Sequence, residues 1–205
     1  MVSDAYRFLI PVLLAALVLA SLDYPTLALV CLLLAGFVCF FFRNPQREIP
    51  DGGNLVVSPA DGKVVKIAVL PESETNPSGH LVSIFLNILD VHVNRSPIQG
   101  ELEQFEYRRG RFRVAFDEEA SRVNEQNILT IRGRQLKVTV KQIAGILARR
   151  VVCWKKPGHR LERGELIGLI RFGSRVDILL PKEVTLRVKV GDKVKGGSSI
   201  IGDLP

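Results

Sequence analysis

The sequence predicts a mainly β domain, a compact barrel or sandwich, that follows an N-terminal hydrophobic helical hairpin. The first observation behind this prediction is the uneven distribution of charge along the 205 residues, which carry a net charge of +7. Positions 8–42 contain one charged residue, Asp23, whereas positions 43–205 contain all but one of the 28 lysines and arginines. The second observation is that the charged part consists of short apolar or alternating segments separated by glycine, proline, asparagine and aspartate, which is typical of β-strands.

The apolar block is expected to form a hairpin because it is interrupted once, at Asp23 and Pro25. The interruption divides it into segments 8–22 and 26–42, each short for a solitary span, which needs about 20 apolar residues. Two interpretations fit, a helical hairpin and a single re-entrant or interfacial anchor, and we favour the hairpin. We therefore predict a membrane anchor at residues 1–43.

Basic residues flank the apolar block on both sides. Arg7 precedes it, and Arg43 and Arg47 follow it. Arginine and lysine are enriched in the cytoplasmic flanks of membrane segments. We therefore expect both ends of the anchor in the cytoplasm, with the chain in the cell membrane and its charged part on the cytoplasmic side.

The charged part divides into a linker and a β domain. Residues 44–53 are the predicted linker, because two prolines and two adjacent glycines end the helical pattern there. Residues 54–205 are the predicted domain, and within 136–140 apolar and polar residues alternate with the period of a half-buried strand. Segments 117–127 and 143–150 leave room for helices. The predicted strands are 55–57, 63–69, 81–89, 111–116, 128–131, 136–140 and 185–190.

Two glycine-containing segments, 58–64 and 191–202, resemble the turn motifs of lipoyl- and biotinyl-type β-barrels. Those domains carry their cofactor on a lysine in an exposed hairpin, and no Met-Lys-Met or Asp-Lys-Ala hairpin occurs in this sequence. The resemblance therefore predicts lipoyl-like hairpin elements in the fold and no swinging-arm function. A membrane-tethered, non-catalytic lipoyl-like β-module is the alternative functional hypothesis.

Residue spacing argues against several kinds of site. Cys31, Cys39 and Cys153 form no CxxC pair, which argues against a zinc site or a disulfide framework. The three histidines include no His-x-His pair, so neither a metal site nor a zinc peptidase is predicted. No recognisable motif interleaves aromatic residues with the basic ones, so no nucleic-acid partner is expected.

The pair Gly173-Ser174 is the sharpest chemical feature of the sequence. Because glycine has no Cβ, a following serine hydroxyl can approach the preceding carbonyl in a strained backbone geometry. An intramolecular N-to-O acyl shift requires this approach. Taken alone, a Gly-Ser pair is more often an ordinary turn.

Five stretches occur together in the order of a known family, and they are 41–45 (FFRNP), 58–64 (SPADGKV), 85–87 with 90–97 (FLN and DVHVNRSP), 142–153 (beginning QIAG) and 164–177 (ending FGSRVD). The set resembles the phosphatidylserine decarboxylase proenzymes, specifically their short prokaryotic (type A) form. The resemblance implies a membrane-bound enzyme that converts phosphatidylserine to phosphatidylethanolamine and meets its phospholipid substrate at the bilayer surface.

The resemblance also implies that the chain cuts itself. In that family the serine attacks the carbonyl before it, the resulting ester undergoes elimination, and the new N-terminus becomes a pyruvoyl group. Carried over, Ser174 would become the pyruvoyl cofactor and Gly173 would end the larger chain. Residues 1–173 and 174–205 would then remain together as a heterodimer. A pyruvoyl ketone can condense with the amine of a substrate and accept the electron pair released as CO2 leaves.

Two further residues match family positions with assigned roles. His92 matches a histidine of decarboxylation, and a histidine suits the protonation of the product. The alternation of residues 90–94 places His92 on one strand face with Asp90 and Asn94, and an exposed strand histidine is the competing interpretation. Asp61 matches the acidic member of an Asp-His-Ser set for self-cleavage, and an ordinary Asp-Gly turn is its competing interpretation.

The sequence departs from the longer family form at Arg95, which stands where that form has a second histidine. The base for self-cleavage therefore stays open, between His92 serving both steps and Asp61 acting without a histidine relay. His80 and His159 are expected at the surface, and His159 is kept in reserve because it lies near Ser174 in sequence.

Overall fold

The computed structural model of the chain describes residues 1–71, 79–113, 120–134, 136–145, 150–171 and 174–205. The chain divides into two compact units, Met1–Gln46 and Arg47–Pro205. The first unit is helical, and the second contains all the described strands.

The first unit is a helical hairpin, as predicted. A 3-10 turn, Ser3–Ala5, leads into helix α1, Tyr6–Ser21, and helix α2, Pro25–Phe41, follows a turn in which Asp23 has a φ of 61°. Pro25 starts α2, where its fixed φ and its missing N–H are tolerated. The buried positions in the middle of the helices are small, which lets the two backbones approach, and they are Ala16, Ala28 and Ala35.

The outer surface of this hairpin is apolar. Leu14, Leu17 and Leu33 are among the most exposed hydrophobic side chains. The helical segment Ser3–Ser21 is long and apolar enough to cross a membrane, whereas Pro25–Phe41 is apolar and, at 17 residues, shorter. A surface of this kind fits a lipid environment better than water.

The second unit is mainly β, which confirms the predicted fold class. One short helix, α3, covers Ala120–Val123 within the described residues. The strands are β1 (Leu55–Val57), β2 (Gly62–Leu70), β3 (Gly79–Leu86), β4 (Val93–Arg95), β5 (Gly100–Arg108), β6 (Gln126–Arg132), β7 (Lys137–Ile143), β8 (Val151–Cys153), β9 (Arg160–Leu161), β10 (Leu166–Ile170), β11 (Ser174–Pro181), β12 (Thr185–Leu186), β13 (Lys193–Val194) and β14 (Ile200–Asp203).

The described strands form three antiparallel sheets around one core. The largest has the order β13-β2-β3-β11-β7-β6-β5-β9, and the smaller two are β4-β10-β8 and β1-β14-β12. All three sheets contribute to one apolar cluster, for example through Ile84, Ile167 and Ile201. The two lipoyl-like segments pair with each other, since Lys193 and Val194 of β13 lie opposite Lys63 and Gly62 of β2.

Several strand predictions differ from the structure. The segment predicted at 185–190 shortens to Thr185–Leu186, and β3 ends at Leu86, where a turn begins. Ile143 belongs to β7 rather than to a helix. Arg111 forms an isolated bridge with Asn124, and residues 114–119 and 146–149, where a strand and helices were considered, lie outside the described part.

Candidate active site

Ser174 is the first residue of β11, a central strand of the largest sheet. It pairs with Leu86 of β3, while Arg175 pairs with Ile143 of β7 on the other side. The Ser174 side chain is fully buried, and its Oγ has no hydrogen-bond partner among the described residues. Gly173, the expected partner in cleavage, lies outside the described residues.

His92 lies in the core, immediately before β4. Its side chain is 1% exposed, so the interpretation as an exposed strand histidine is wrong. Its Nδ1 lies 3.0 Å from the backbone oxygen of Asp90. Because a carbonyl oxygen only accepts, Nδ1 carries the proton, and Nε2 is the nitrogen of the neutral ring that can gain one.

The predicted strand face of His92 and Asp90 does not form. The Asp90 carboxylate instead closes a turn by accepting a hydrogen bond from the Asn87 N–H at 2.7 Å. Val91 and Val93, expected on the opposite face from His92, are also buried. Both sides of this segment are therefore buried.

Asp61 occupies the turn before β2, and its carboxylate is half-buried, with 15% of the side chain exposed. Its Oδ2 accepts a hydrogen bond from Arg47 Nη2 at 2.6 Å, and its Oδ1 accepts one from the Gly196 N–H at 2.7 Å. Burial raises the pKa of the Asp61 carboxyl, while the Gly196 N–H and the Arg47 guanidinium act in the opposite direction. The next position requires a glycine. The φ of Gly62 is 146°, and a Cβ there would lie 2.2 Å from the Phe85 carbonyl oxygen.

Arg95 lies close to Asp61, at the position where the longer family form has a histidine. Its Nη1 donates to the Gly164 carbonyl oxygen at 2.8 Å. Burial lowers the pKa of the Arg95 guanidinium, Arg47 lowers it further, and Asp61 opposes both. An arginine stays protonated in proteins and has no acceptor atom. Arg95 therefore cannot be the base for self-cleavage.

The end of β3 brings the three predicted residues into one region. Ser174 pairs with Leu86 on one side of β3, and Gly62, next to Asp61, packs against Phe85 on the other. The chain then turns and reaches His92, whose carbonyl oxygen accepts from the Ile170 N–H at 3.2 Å. No hydrogen bond joins Ser174 Oγ to either partner. Strands β2 and β11 flank β3, with backbones about 10 Å apart, so Asp61, directly before β2, and Ser174 lie on opposite sides of β3.

Three buried amides next to this region were missed by the sequence analysis. Asn127 Nδ2 donates to Gln142 Oε1 at 2.9 Å, and Gln142 Nε2 donates to Asn94 Oδ1 at 2.8 Å. All three side chains are 2% exposed or less. The signal was present in β7, because the alternation of Val138 and Val140 extends to a polar residue, Gln142, on the core face. We name these residues the amide chain.

A buried ion pair follows Ser174 directly on β11. Arg175 Nε donates to Asp177 Oδ1 at 2.6 Å, and Arg175 Nη2 donates to Ser83 Oγ of β3 at 2.9 Å. The Arg175 and Asp177 side chains are 4% and 2% exposed. Because these charges are paired and hydrogen-bonded, they fix the start of β11 against β3.

The remaining candidates lie elsewhere. His159 is exposed, with its Nε2 3.5 Å from Lys155 Nζ, and His80 is half-buried in β3. Within the described ranges no group of His, Cys, Asp or Glu has the arrangement of a metal site. A cavity of about 550 Å³ opens beside Glu103, Glu106 and Arg108 and borders none of the three predicted residues.

Comparison with known proteins identifies the family. The family profile of phosphatidylserine decarboxylases matches residues 34–202, which is most of the chain. The chain belongs to the phosphatidylserine decarboxylase family. The predicted resemblance and the predicted enzyme class are thereby confirmed, and the non-catalytic β-module is set aside.

Relatives of this phosphatidylserine decarboxylase family member match over nearly their whole length. A phosphatidylserine decarboxylase proenzyme of Solibacter usitatus is 48% identical over 200 residues, which cover 98% of this chain and 95% of the relative. The proenzyme of Geotalea uraniireducens is 45% identical over 204 residues, covering 99% and 96%. That of Carboxydothermus hydrogenoformans is 46% identical over 192 residues, covering 90% and 88%.

Proposed function

We propose that this chain is a membrane-bound, pyruvoyl-dependent decarboxylase that converts phosphatidylserine to phosphatidylethanolamine after cutting itself between Gly173 and Ser174. The observation that carries the proposal is the Ser174 hydroxyl, which is fully buried and has no partner among the described residues. The family membership and the proenzyme names of the relatives support the same proposal.

An unpartnered buried hydroxyl lowers the stability of the fold, and a role in a reaction would explain why it is present. Leaving such a group unsatisfied costs about 1–3 kcal/mol, and most buried polar atoms in proteins are paired. A serine whose Oγ is committed to no other hydrogen bond is free to attack a neighbouring carbonyl. Strand β11 pairs with β3 from Ser174 onward and with β7 from Arg175 onward, which fixes the backbone of this segment.

Residue 174 fits the position of a pyruvoyl group for the same reasons. When formed, a pyruvoyl ketone supplies an electron sink for the loss of CO2 from an amine-bearing substrate. The chain's own contribution is a dry surrounding, a backbone fixed by β3 and β7, and the Arg175–Asp177 pair directly after it.

We assign His92 to both proton transfers, in self-cleavage and in decarboxylation. Arg95 cannot accept a proton, and Asp61 lies across β3 from Ser174. The Nε2 atom of His92 remains as the titratable nitrogen of a buried ring whose other nitrogen is fixed by Asp90. We assign Asp61 a part in self-cleavage as the carboxylate that compensates the positive charge of Arg47 and Arg95.

The helical hairpin is the proposed membrane anchor, residues 1–43, with 44–53 as the linker and 54–205 as the catalytic domain. Its exposed leucines fit the bilayer interior, and the Arg43 guanidinium lies 3.9 Å from the centre of the Phe40 ring at the end of α2. Arginine and aromatic residues are typical of the membrane interface. The flanking arginines favour the cytoplasmic side for the catalytic domain, where a phospholipid is reached without extraction.

The two chains produced by cleavage are proposed to stay together. The small chain, 174–205, would begin with β11, which pairs along its length with β3 and over five residues with β7. Its last strand, β14, pairs with β1 of the large chain, 1–173. These ladders and the shared core hold the small chain in place without a covalent link.

The test is a decarboxylation assay on the full chain in phosphatidylserine vesicles. We expect release of CO2 and formation of phosphatidylethanolamine from the wild type, and no turnover of free serine. The Ser174→Ala variant should remain a single chain without activity, because it lacks the hydroxyl that attacks. Full activity of Ser174→Ala would refute the proposal, as would a wild type that acts on free serine alone.

A further inference from the structure

The amide chain has a direction and an open end. Asn127 donates to Gln142, and Gln142 in turn donates to Asn94. Both hydrogen bonds therefore run in the same direction, from Asn127 towards Asn94. The amide chain ends at Asn94 Nδ2, which is buried and has no partner within the described part of the molecule. Asn94 therefore presents a spare N–H donor in the core.

The amide chain is connected, through Gln142, to the sheet face on which Ser174 lies. Val176 pairs with Gln142, so Ser174, two residues earlier on β11, is the diagonal neighbour of Gln142 on the same sheet face. Gln142 reaches from this face to Asn94 on β4. Gly168 leaves room for that contact, because a Cβ there would lie 2.9 Å from Gln142 Nε2. One unpartnered acceptor, Ser174 Oγ, and one unpartnered donor, Asn94 Nδ2, thus lie on the same side of β11.

Two such atoms in one region are costly in the resting chain. Each unsatisfied buried polar group destabilises the fold. A hydrogen bond that is absent in the ground state and forms only as charge develops lowers the barrier of the reaction. The arrangement therefore supplies an uncommitted donor on the side of β11 on which that charge would develop.

We propose that Asn94 is a catalytic residue of the self-cleavage, and this inference rests on the proposed function. After the acyl shift, Ser174 Oγ is the bridging oxygen of an ester. His92 Nε2 takes the proton from the Ser174 Cα, the released electron pair forms the Cα=Cβ double bond, and the Cβ–Oγ bond breaks. Its electron pair goes to Oγ, which leaves as part of the new carboxylate. Asn94 Nδ2 donates a hydrogen bond to Oγ as this charge appears, and Gln142 and Asn127 hold the amide in position.

The experiment is self-cleavage of the full chain carrying Asn94→Leu, followed by denaturing electrophoresis with and without hydroxylamine. Loss of one preorganised donor slows such steps by about 100-fold or more, and we expect a slowing of that size. Because the ester still forms, hydroxylamine should cut the accumulated chain at residue 174. The released fragment should begin with an unmodified Ser174.

Two further variants keep the test sharp. Asn94→Asp retains the oxygen that accepts from Gln142 but lacks the N–H donor, so it should fold and still cleave slowly. Gln126→Leu is the matched control, because Gln126 is a buried amide on the same strand as Asn127 with its side chain on the opposite face. It should cleave at the wild-type rate.

Wild-type cleavage rates in Asn94→Leu or Asn94→Asp would overturn the inference. An uncut Asn94→Leu chain that resists hydroxylamine at an unchanged melting temperature would also overturn it, because the block would then precede the ester. Failure of the proposed function itself looks different, since the wild type would then remain a single active chain. In that case Ser174→Ala would no longer differ from the wild type.

Discussion

Several polar side chains in the region of Ser174 have almost no exposure to water. His92, Asn94 and Gln142 are as buried as the aliphatic residues around them. Such groups destabilise a fold unless they are paired, so their concentration at the end of β3 needs a reason. The proposed self-cleavage and decarboxylation supply one, because both reactions require donors and bases shielded from water.

His92→Ala should abolish both self-cleavage and decarboxylation, because its Nε2 is assigned to both proton transfers. General acid–base catalysis contributes about 10²–10⁴-fold, and losses in that range are expected for each step. Electrophoresis measures the first step, and CO2 release measures the second. The exposed His159 provides the control, and His159→Ala should behave as the wild type. A His92→Ala chain that cuts at a normal rate would limit His92 to decarboxylation.

Asp61 gives a pH-dependent prediction for stability. Burial raises its pKa in the folded chain above the ordinary value of 3.8, so the folded state binds this proton more tightly than the unfolded state does. The contribution of Asp61 to stability is therefore complete below pH 3.8 and is lost as the pH rises through the folded-state pKa. An asparagine at position 61 does not titrate, so the Asp61→Asn variant lacks this dependence of stability on pH.

The comparison uses the uncut Ser174→Ala chain with and without Asp61→Asn. The melting temperature of the double variant should rise relative to the single variant as the pH increases through this window, and then level off. A difference that moves in the opposite direction would show that the Arg47 contact, and not burial, dominates the carboxyl. Self-cleavage in Asp61→Asn alone should be slowed, because Arg47 and Arg95 lose their compensating charge.

At the scale of elements, the sequence predicted what local patterns encode. Strand β1 was predicted with its observed bounds, and the hairpin turn was placed at Asp23 and Pro25, because glycine, proline and apolar runs mark such features directly. Strand β5 was missed, since its glutamates and glutamine do not read as a strand until β6 and β9 pair with it. The amide chain was missed for a similar reason, because Asn94 on β4 is distant in sequence from Asn127 and Gln142 on the consecutive strands β6 and β7.

A substitution at Gly168 tests how the sheet β4-β10-β8 supports the amide chain. A Cβ at this position would lie 2.0 Å from the Val152 carbonyl oxygen and would crowd Gln142 Nε2. Gly168→Ala should therefore destabilise the fold by about 1–3 kcal/mol, the range for overpacked cores. Thermal unfolding in the Ser174→Ala background measures this. Gly53 has open space around its Cβ position, so Gly53→Ala is the neutral control. Equal melting temperatures for both variants would contradict the packing argument.

At the scale of the whole molecule, the chain combines an apolar helical unit with a basic, mainly β unit. This division was visible in the distribution of charge along the sequence. It agrees with an enzyme that acts on a phospholipid, since the proposed anchor would keep the domain at the membrane surface. At the proposed membrane surface the net charge of +7 would add attraction to anionic headgroups, at about 1 kcal/mol for each basic residue near that surface.

Charges placed on the outer face of the hairpin should weaken the anchor. Leu17 and Leu33 are 68% and 67% exposed, and a lysine in the middle of a membrane helix costs about 2.5–3.5 kcal/mol. The double variant Leu17→Lys and Leu33→Lys should shift from the membrane fraction to the supernatant on centrifugation. Val190→Lys changes an exposed apolar residue of the β unit and should remain with the membrane. Retention of the double variant in the membrane fraction would argue against the anchor.

The central claim is that Ser174 becomes the cofactor. The most direct measurement is the intact mass of both chains in a preparation that is decarboxylating phosphatidylserine. We predict a large chain ending at Gly173 and a small chain beginning at residue 174, blocked at its N-terminus and lighter than the serine-headed peptide by the mass of ammonia. A continuous chain that retains an unmodified Ser174 while the same preparation turns over would contradict the account.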